Sequence, residues 1–377
     1  MLLSEEQRMV RDMARSFAQD RIKPNSAAWE KAGIIPNETL REMGALGLMG
    51  MTVPAEWDGA ETDYVSYALA LMEIAGGDGG LSTLMSVNNA PMCAAVLQNG
   101  TDAQKEQYLK PMARGDIIGS FCLTEPQAGS DASMLKTKAE RTNSGWRLNG
   151  TKQFITSGTV GGVAIIFAVT DPDAGKRGIS AFLVPTDTPG YRVASTEHKL
   201  GQKSSDTCQI VFEDMDIPTD CLLGDEGAGY KVALSNLETG RIGIAAQSVG
   251  MARAAYEYAL EYAQERIAFG KPIMGHQAVA FRLADMATQL EAAELMVLNA
   301  ASKKDAGEPC LKEACMAKLF ASEMAERVCS DAIQTLGGYG YLSEYPVEKI
   351  YRDVRVCQIY EGTSDIQRIV ISREIVK

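Results

Sequence analysis

Apolar positions recur with helical spacing at both ends of the chain and with strand spacing in between. Up to about Gly115 the pattern reads as helices. Ser4 with Gln7, and Thr101 with Gln104, each read as a capping box. Gly76-Gly77 and Asn99-Gly100 read as helix stops. From about Ile117 to Leu223 the pattern changes to strands. Asn149-Gly150 lies between Trp146-Arg147-Leu148 and Thr151-Lys152-Gln153-Phe154, which predicts a two-residue hairpin turn. The runs 163–169, 178–184, 191–195 and 208–212 follow, separated by Asp171-Pro172-Asp173 and Thr188-Pro189-Gly190. Short strands at this spacing predict a small barrel or sandwich. From about Gly229 the helical period returns. Val279, Leu283, Met286, Leu290, Ala293 and Val297 form one bundle seam. Ala245, Val249, Ala252, Tyr256, Ala259 and Ala263 form another, with smaller residues that permit close approach. Two seams fit a helix bundle, or a bundle that also packs against another subunit. The expected organisation is α+β: a helical region 1–115, a β region 116–226 and a helical bundle 227–377. A scaffold or binding protein fits this pattern as well as an enzyme does.

Composition narrows the classes. The chain has 377 residues, 46% hydrophobic and 23% charged. That suffices for a large core and more than one structural unit. A net charge of -12 argues against nucleic acid or an anionic membrane as the main partner. A few placed Arg residues can still make one pocket attract an anion. The eight Cys form no C-x-x-C pair, and His198 and His276 are the sole histidines, so no metal site is expected. The thiols read as small buried hydrophobes in a reducing compartment, for which a bacterial cytoplasm is preferred. The same sequence would suit a mitochondrial matrix protein. No secretory signal and no membrane-spanning run is expected.

Three segments carry unusual local chemistry. In residues 121–131, a short apolar strand runs into a loop rich in turn residues, whose N–H groups can face a planar ligand or an anion. On spacing alone a plain turn is the better reading. Phe154-Ile155-Thr156-Ser157-Gly158 puts an aromatic and a hydroxyl at a strand end, which on its own is more often ordinary core and turn. In residues 360–368, Ser364 with Gln367 reads as a capping box, so a helix is expected to start there. Glu361 then precedes a helix N-terminus, whose partial positive charge favours the carboxylate form. A solvated surface Glu is the ordinary alternative. There is no G-x-G-x-x-G opening a βαβ unit, no P-loop and no G-x-S-x-G elbow.

Together these segments resemble the acyl-CoA dehydrogenase family over essentially the whole chain. Leu123-Thr124-Glu125-Pro126 through Gly129-Ser130-Asp131 resembles the first family signature. Residues 334–341, then Tyr351-Arg352-Asp353 and 359–363, resemble the second. The resemblance implies an N-terminal helical domain, a middle β-barrel domain and a C-terminal four-helix bundle. It implies FAD as cofactor, its ring flanked by Phe121, Leu123 and Thr124 on one side and Phe154, Ile155 and Thr156 on the other. Gly129 and Ser130 would lie along the cofactor, and Thr363 and Asp365 would touch it. A neighbouring subunit would contribute Arg266, Phe269, Gln277, Gln334, Leu336, Gly337 and Gly338. A guanidinium such as that of Arg266 suits a pyrophosphate.

The implied reaction is α,β-dehydrogenation of an acyl-CoA, with Glu361 removing the α-proton and flavin N5 taking the β-hydride. Hydrogen bonds from the base's own N–H and the ribityl chain would stabilise the enolate. Bound acyl chain would expel water and raise the carboxylate pKa. The family's other placement of the base precedes Arg241, where this chain has Gly240, so the resemblance selects Glu361. Tyr360 and Gly362 would flank the thioester, and Ser130, Glu238 and Arg241 would contact the CoA part. Phe154 stands where Trp is frequent, which removes an indole N–H. Met85-Ser86-Val87-Asn88-Asn89 resembles short-chain members, while Ser235 leaves depth for medium or branched chains. The implied partners are acyl-CoA, an electron-transferring flavoprotein and further copies in a homotetramer. The competing expectations are a flavin oxidase or monooxygenase on the same fold, and a non-enzymatic assembly or binding relative.

Overall fold

A computed structural model describes residues 2–376. Eight helices come first: α1 Glu5–Phe17, α2 Ser26–Ala32, α3 Asn37–Ala45, α4 Tyr64–Gly77, α5 Gly79–Val87, α6 Ala94–Asn99, α7 Asp102–Gln104 and α8 Lys110–Ala113. Both N-terminal capping boxes form as expected, at Ser4 and at Thr101. α4 is apolar on all sides, and residues from Val65 to Ala75 are buried, so it becomes the central helix of this layer. It ends at the expected Gly76-Gly77.

Seven strands follow: β1 Gly119–Cys122, β2 Lys138–Arg141, β3 Gly145–Thr156, β4 Val163–Val169, β5 Ile179–Pro185, β6 Tyr191–Thr196 and β7 Thr207–Pro218. They form one sheet in the order β1-β4-β2-β3-β7-β6, with β5 on the other edge of β4. The sheet curls around a core that includes Trp146, Phe182 and Phe212. Its outer side packs on the N-terminal helices through Phe167, Leu183, Met92 and Met112.

The hairpin expected at Asn149-Gly150 does not exist. β3 runs straight through both residues, and its register against β7 slips between Leu148 and Gly150. The Asn149 side chain donates to Asp214 Oδ1 (3.1 Å) and accepts from Asp214 N (2.8 Å), so the turn-forming pair stabilises a bulge. Gly150 is required for space as well, since a Cβ there would lie 2.4 Å from Thr137 Oγ1.

The C-terminal layer holds α9 Gly229–Glu265, α10 Gln277–Asp305, α11 Leu311–Leu336, α12 Pro346–Val354 and α13 Ser364–Glu374. A short ribbon of β8 Ile267–Ala268 and β9 Lys271–Pro272 separates α9 from α10. Both expected seams face inward: Leu283, Met286, Leu290, Ala293 and Val297 are buried, as are Ala245, Val249, Ala252, Ala259 and Ala263. One core joins α9, α10 and α11 with α1, α4 and α5. No described helix is long and apolar enough to cross a membrane. All eight cysteines are buried and unpaired, as small hydrophobes would be.

Candidate active site

α13 begins at Ser364, but its cap is not the expected one. Thr363 is the N-cap, with φ -58° and ψ 164°, and its hydroxyl accepts from Ile366 N, so Ser364 is the first helical residue. Gln367 is thereby released from capping. Its amide donates backwards to Gly362 O (2.9 Å) and Glu361 O (3.4 Å). The Glu361 loop is thus fastened to the helix that follows it.

Glu361 has φ +51°, left-handed for a non-glycine residue, and Gly362 follows at φ +96°. Such a backbone costs about 1–3 kcal/mol and persists only where its surroundings impose it. On the other side of the loop, Lys318 from α11 donates to Tyr360 O (3.0 Å) and to Gly362 O. The Glu361 carboxylate points at α9. A Cβ on Gly240 would sit 2.0 Å from Oε2, so only glycine leaves room for it. Oε2 is buried and carries no hydrogen bond. Burial raises the carboxyl from an ordinary value of 4.5 to about 7, with Lys318 and Arg241 pulling the other way. Lys318 and Arg241, rather than the start of α13, are the groups that favour the carboxylate here.

Around this loop lie further groups. Tyr360 donates its hydroxyl to Gln247 Oε1 (3.1 Å) and touches Thr83 Oγ1 (3.4 Å). Arg241 is buried on α9, donates from Nη1 to Cys315 Sγ (3.2 Å), and has an unpartnered Nε. Glu238 accepts from Cys310 Sγ at 3.6 Å. Thr363 and Asp365 stand at the start of α13, Asp365 exposed.

A second group sits at the mouth of the sheet. Phe121 on β1 packs on Phe167 at 4.9 Å between ring centres. Gln153 N donates to Thr124 O (2.8 Å), which places Leu123 and Thr124 beside Phe154, Ile155 and Thr156 at the end of β3. Phe154 has φ +58° and is 63% exposed, an aromatic face held outward at a backbone cost. Gly129 and Ser130 are exposed on the adjoining loop, and a Cβ at Gly129 would meet nothing within 4 Å.

A third group gathers where α9 and α11 end. Arg266, Leu336, Gly337 and Gly338 line a pocket of about 410 Å³ with Tyr262 and Tyr339. The Arg266 guanidinium lies 5.6 Å from the Tyr339 ring centre. Gln277 and Gln334 are exposed nearby in sequence. Phe269 is 96% exposed with φ +53°. Arg241 and Arg266 are 25 positions apart on or beside α9, about 37 Å along the helix. The structure therefore sets the third group far from Arg241 along the same helix.

Residues that pattern reading missed do much of the positioning. Lys152 is fully buried and donates to Leu123 O (3.1 Å) and Glu125 Oε1 (2.8 Å). Glu125 also accepts from Lys136 N (2.6 Å) and Thr137 N (3.0 Å). Burial would raise the Glu125 carboxyl, but Lys152 and these donors outweigh it and lower it to about 2. Lys318 had a visible signal: it is a lone charge on the apolar face of α11, flanked by buried Ala314, Ala317 and Ala321. Lys152 had none, because its partner is distant in sequence.

The fit to a flavin nucleotide can be judged on the chain alone. Two aromatic residues, Phe154 and Phe269, are held outward on left-handed backbone, Gly129, Gly337 and Gly338 leave open space for a ligand's approach, and Arg266 opens on a pocket. These features suit a planar ring and an anionic linker. Family models described as acyl-CoA dehydrogenase N-terminal, middle and C-terminal domains match residues 4–116, 120–215 and 227–376. The chain belongs to the acyl-CoA dehydrogenase family, whose members are FAD-dependent oxidoreductases. Among curated relatives, an acyl-CoA dehydrogenase of Bacillus subtilis is 46% identical over 99% of this chain and 98% of its own. The mitochondrial short-chain specific acyl-CoA dehydrogenase of Bos taurus is 46% identical over 100% of this chain and 91% of its own. Among solved structures, butyryl-CoA dehydrogenase from Megasphaera elsdenii superposes with a TM-score of 0.96 at 39% identity, covering 100% of both chains. A chain solved in work on the electron transferring flavoprotein of Acidaminococcus fermentans has a TM-score of 0.98 at 42% identity, covering 100% of this chain and 99% of that one.

Proposed function

We propose that this chain converts short acyl-CoA thioesters to 2-enoyl-CoA, with Glu361 as the base that removes the α-proton. The observation that carries this reading is the Glu361 carboxylate. Its Oε2 is buried, unpartnered, opposite a glycine, and half ionised near pH 7. A surface carboxylate has none of these properties. A base is most useful when its pKa lies near the working pH.

The chain's own groups divide the remaining tasks. Tyr360 and Gly362 border the space the thioester would enter. Arg241, with its free Nε, suits an anionic or carbonyl oxygen of the CoA part, and Ser130 and Glu238 are the other candidates for that part. Phe121, Leu123, Thr124, Phe154, Ile155 and Thr156 would hold the flavin ring, with Gly129, Ser130, Thr363 and Asp365 around it. FAD, when bound, supplies the acceptor for the β-hydride. The third group lies about 37 Å along α9 from Arg241. We therefore assign Arg266, Phe269, Gln277, Gln334, Leu336, Gly337 and Gly338 to the cofactor of a neighbouring copy, in a homotetramer. The relatives of short-chain and butyryl specificity support a short acyl group. An electron-transferring flavoprotein as acceptor is supported by the similarity to the Acidaminococcus fermentans chain. Buried, unpaired thiols fit a reducing compartment such as a bacterial cytoplasm.

The test is a visible spectrum of the purified protein without oxygen. Bleaching of a flavin band by butyryl-CoA is expected, and Glu361→Gln should keep the flavin and bind acyl-CoA but show no bleaching. A protein that cannot be loaded with FAD, or a Glu361→Gln variant that still bleaches, overturns the reading.

A further inference from the structure

The backbone carbonyls of Tyr360, Glu361 and Gly362 all find side-chain donors, and among the described residues two side chains supply them. Gln367 takes Glu361 O and Gly362 O. Lys318 takes Tyr360 O and Gly362 O, on both sides of Glu361. Lys318 itself is fully buried in α11, and among the described residues no carboxylate lies within salt-bridge distance of it. A buried ammonium is expensive unless it is hydrogen-bonded or paired. Here its hydrogen bonds run to the loop that carries the base, and the left-handed Glu361 backbone needs such a clamp to persist.

We propose that Lys318 is a positioning residue for Glu361: its ammonium clasps the carbonyls on either side of the base and holds the carboxylate over Gly240, facing the substrate. The proposal rests on Glu361 being the base. Lys318 acts through the loop and through its charge, not by touching the reacting atoms. The groups that face Lys318 are Cys357 from the turn before the loop, Glu361, Arg241 from α9 and Cys315 from its own helix. The groups that face Glu361 are Lys318, Arg241 and, from α4, Tyr67. Burial lowers the ammonium to about 8, with Cys357 and Glu361 resisting, so it is largely charged at neutral pH. A positive charge beside Glu361 favours the carboxylate form. Removing it lets burial act with less opposition.

The experiment follows single-turnover flavin reduction by butyryl-CoA across pH in FAD-loaded wild type, Lys318→Met and Lys318→Arg. FAD content and the binding of crotonyl-CoA are measured alongside. Lys318→Met is expected to keep FAD and to slow reduction at pH 7 at least tenfold. Its acid limb should move up by about one pH unit, as loss of a neighbouring opposite charge implies. Lys318→Arg should leave the limb near its wild-type position. Lys318→Gln, which keeps length and a donor but no charge, gives the same reading if the methionine variant does not fold. A merely structural lysine would change stability and leave the limb in place, and that result overturns the proposal. Glu361→Gln separates the two ideas. Retained reduction there overturns the base assignment. Lost reduction there, with an unmoved limb in Lys318→Met, overturns only the role of Lys318.

Discussion

Glu361 is held where its charge is unwelcome, and that conflict is measurable. Burial raises the carboxyl from 4.5 to about 7. In the proposed role of base Glu361 must be ionised, so kcat/KM for a short acyl-CoA should rise as pH climbs through about 7 and level off above it. The same shift has a stability consequence of opposite sense. A group whose folded pKa is raised gives stability that is fully present below its unfolded value and is lost as pH rises through the folded one. The chain should therefore lose stability between pH 4.5 and about 7 from this residue. Glu361→Gln removes that loss and should be more stable than wild type at pH 8 by up to about 3 kcal/mol. Its advantage should vanish near pH 4, as urea unfolding at both pH values will show. Gly240→Ala is the complementary change. A Cβ 2.0 Å from Oε2 must push the carboxylate aside, so flavin reduction should fall at least tenfold with FAD content unchanged. In the sequence Glu361 was one carboxylate before a helix. Its burial and the glycine opposite depend on α9, whose Gly240 lies more than a hundred residues earlier.

At the level of elements, the periodic parts of the chain were readable and the aperiodic parts were not. The seams of α9 and α10 follow from apolar spacing and fold as expected. Asn149-Gly150 shows where local reading fails. The pair has strong turn chemistry, but the partner strand β7 offers Asp214, and a bulge satisfies both. Ser364 shows the same on a smaller scale, since Thr363 caps first and leaves Gln367 to bind the loop. The β1–β3 connection depends on a pair that spacing cannot reveal. Lys152→Met leaves the Glu125 charge buried without its cation, and should destabilise the protein by about 3–5 kcal/mol. FAD affinity should fall with it, because Lys152 also holds Leu123 O. Lys152→Met with Glu125→Leu should regain part of the stability, as both charges are then gone. Thermal unfolding and flavin titration of the single and double variants check both points.

Across the whole molecule, one buried ionic cluster takes a part from each of the three layers. Lys349 of α12 donates to Asp78 Oδ2 (3.0 Å) and Asp353 Oδ2 (2.6 Å). Asp78, which follows α4, also accepts from Ser26 of α2 (2.5 Å) and from Ser204 (2.8 Å) in the segment before β7. Gln202 N from that same segment donates to Asp353 Oδ1. Asp78, Ser204 and Asp353 are buried, so separating the layers would leave charged and polar groups of the cluster without their partners. Three regions that look like independent units in the sequence thus share a single knot of charge. A piece of the chain cut at a region boundary would expose apolar faces and strand an ion in its interior. Such pieces should therefore be insoluble on their own, and the intact chain should unfold in one transition in which helix and sheet signals vanish together.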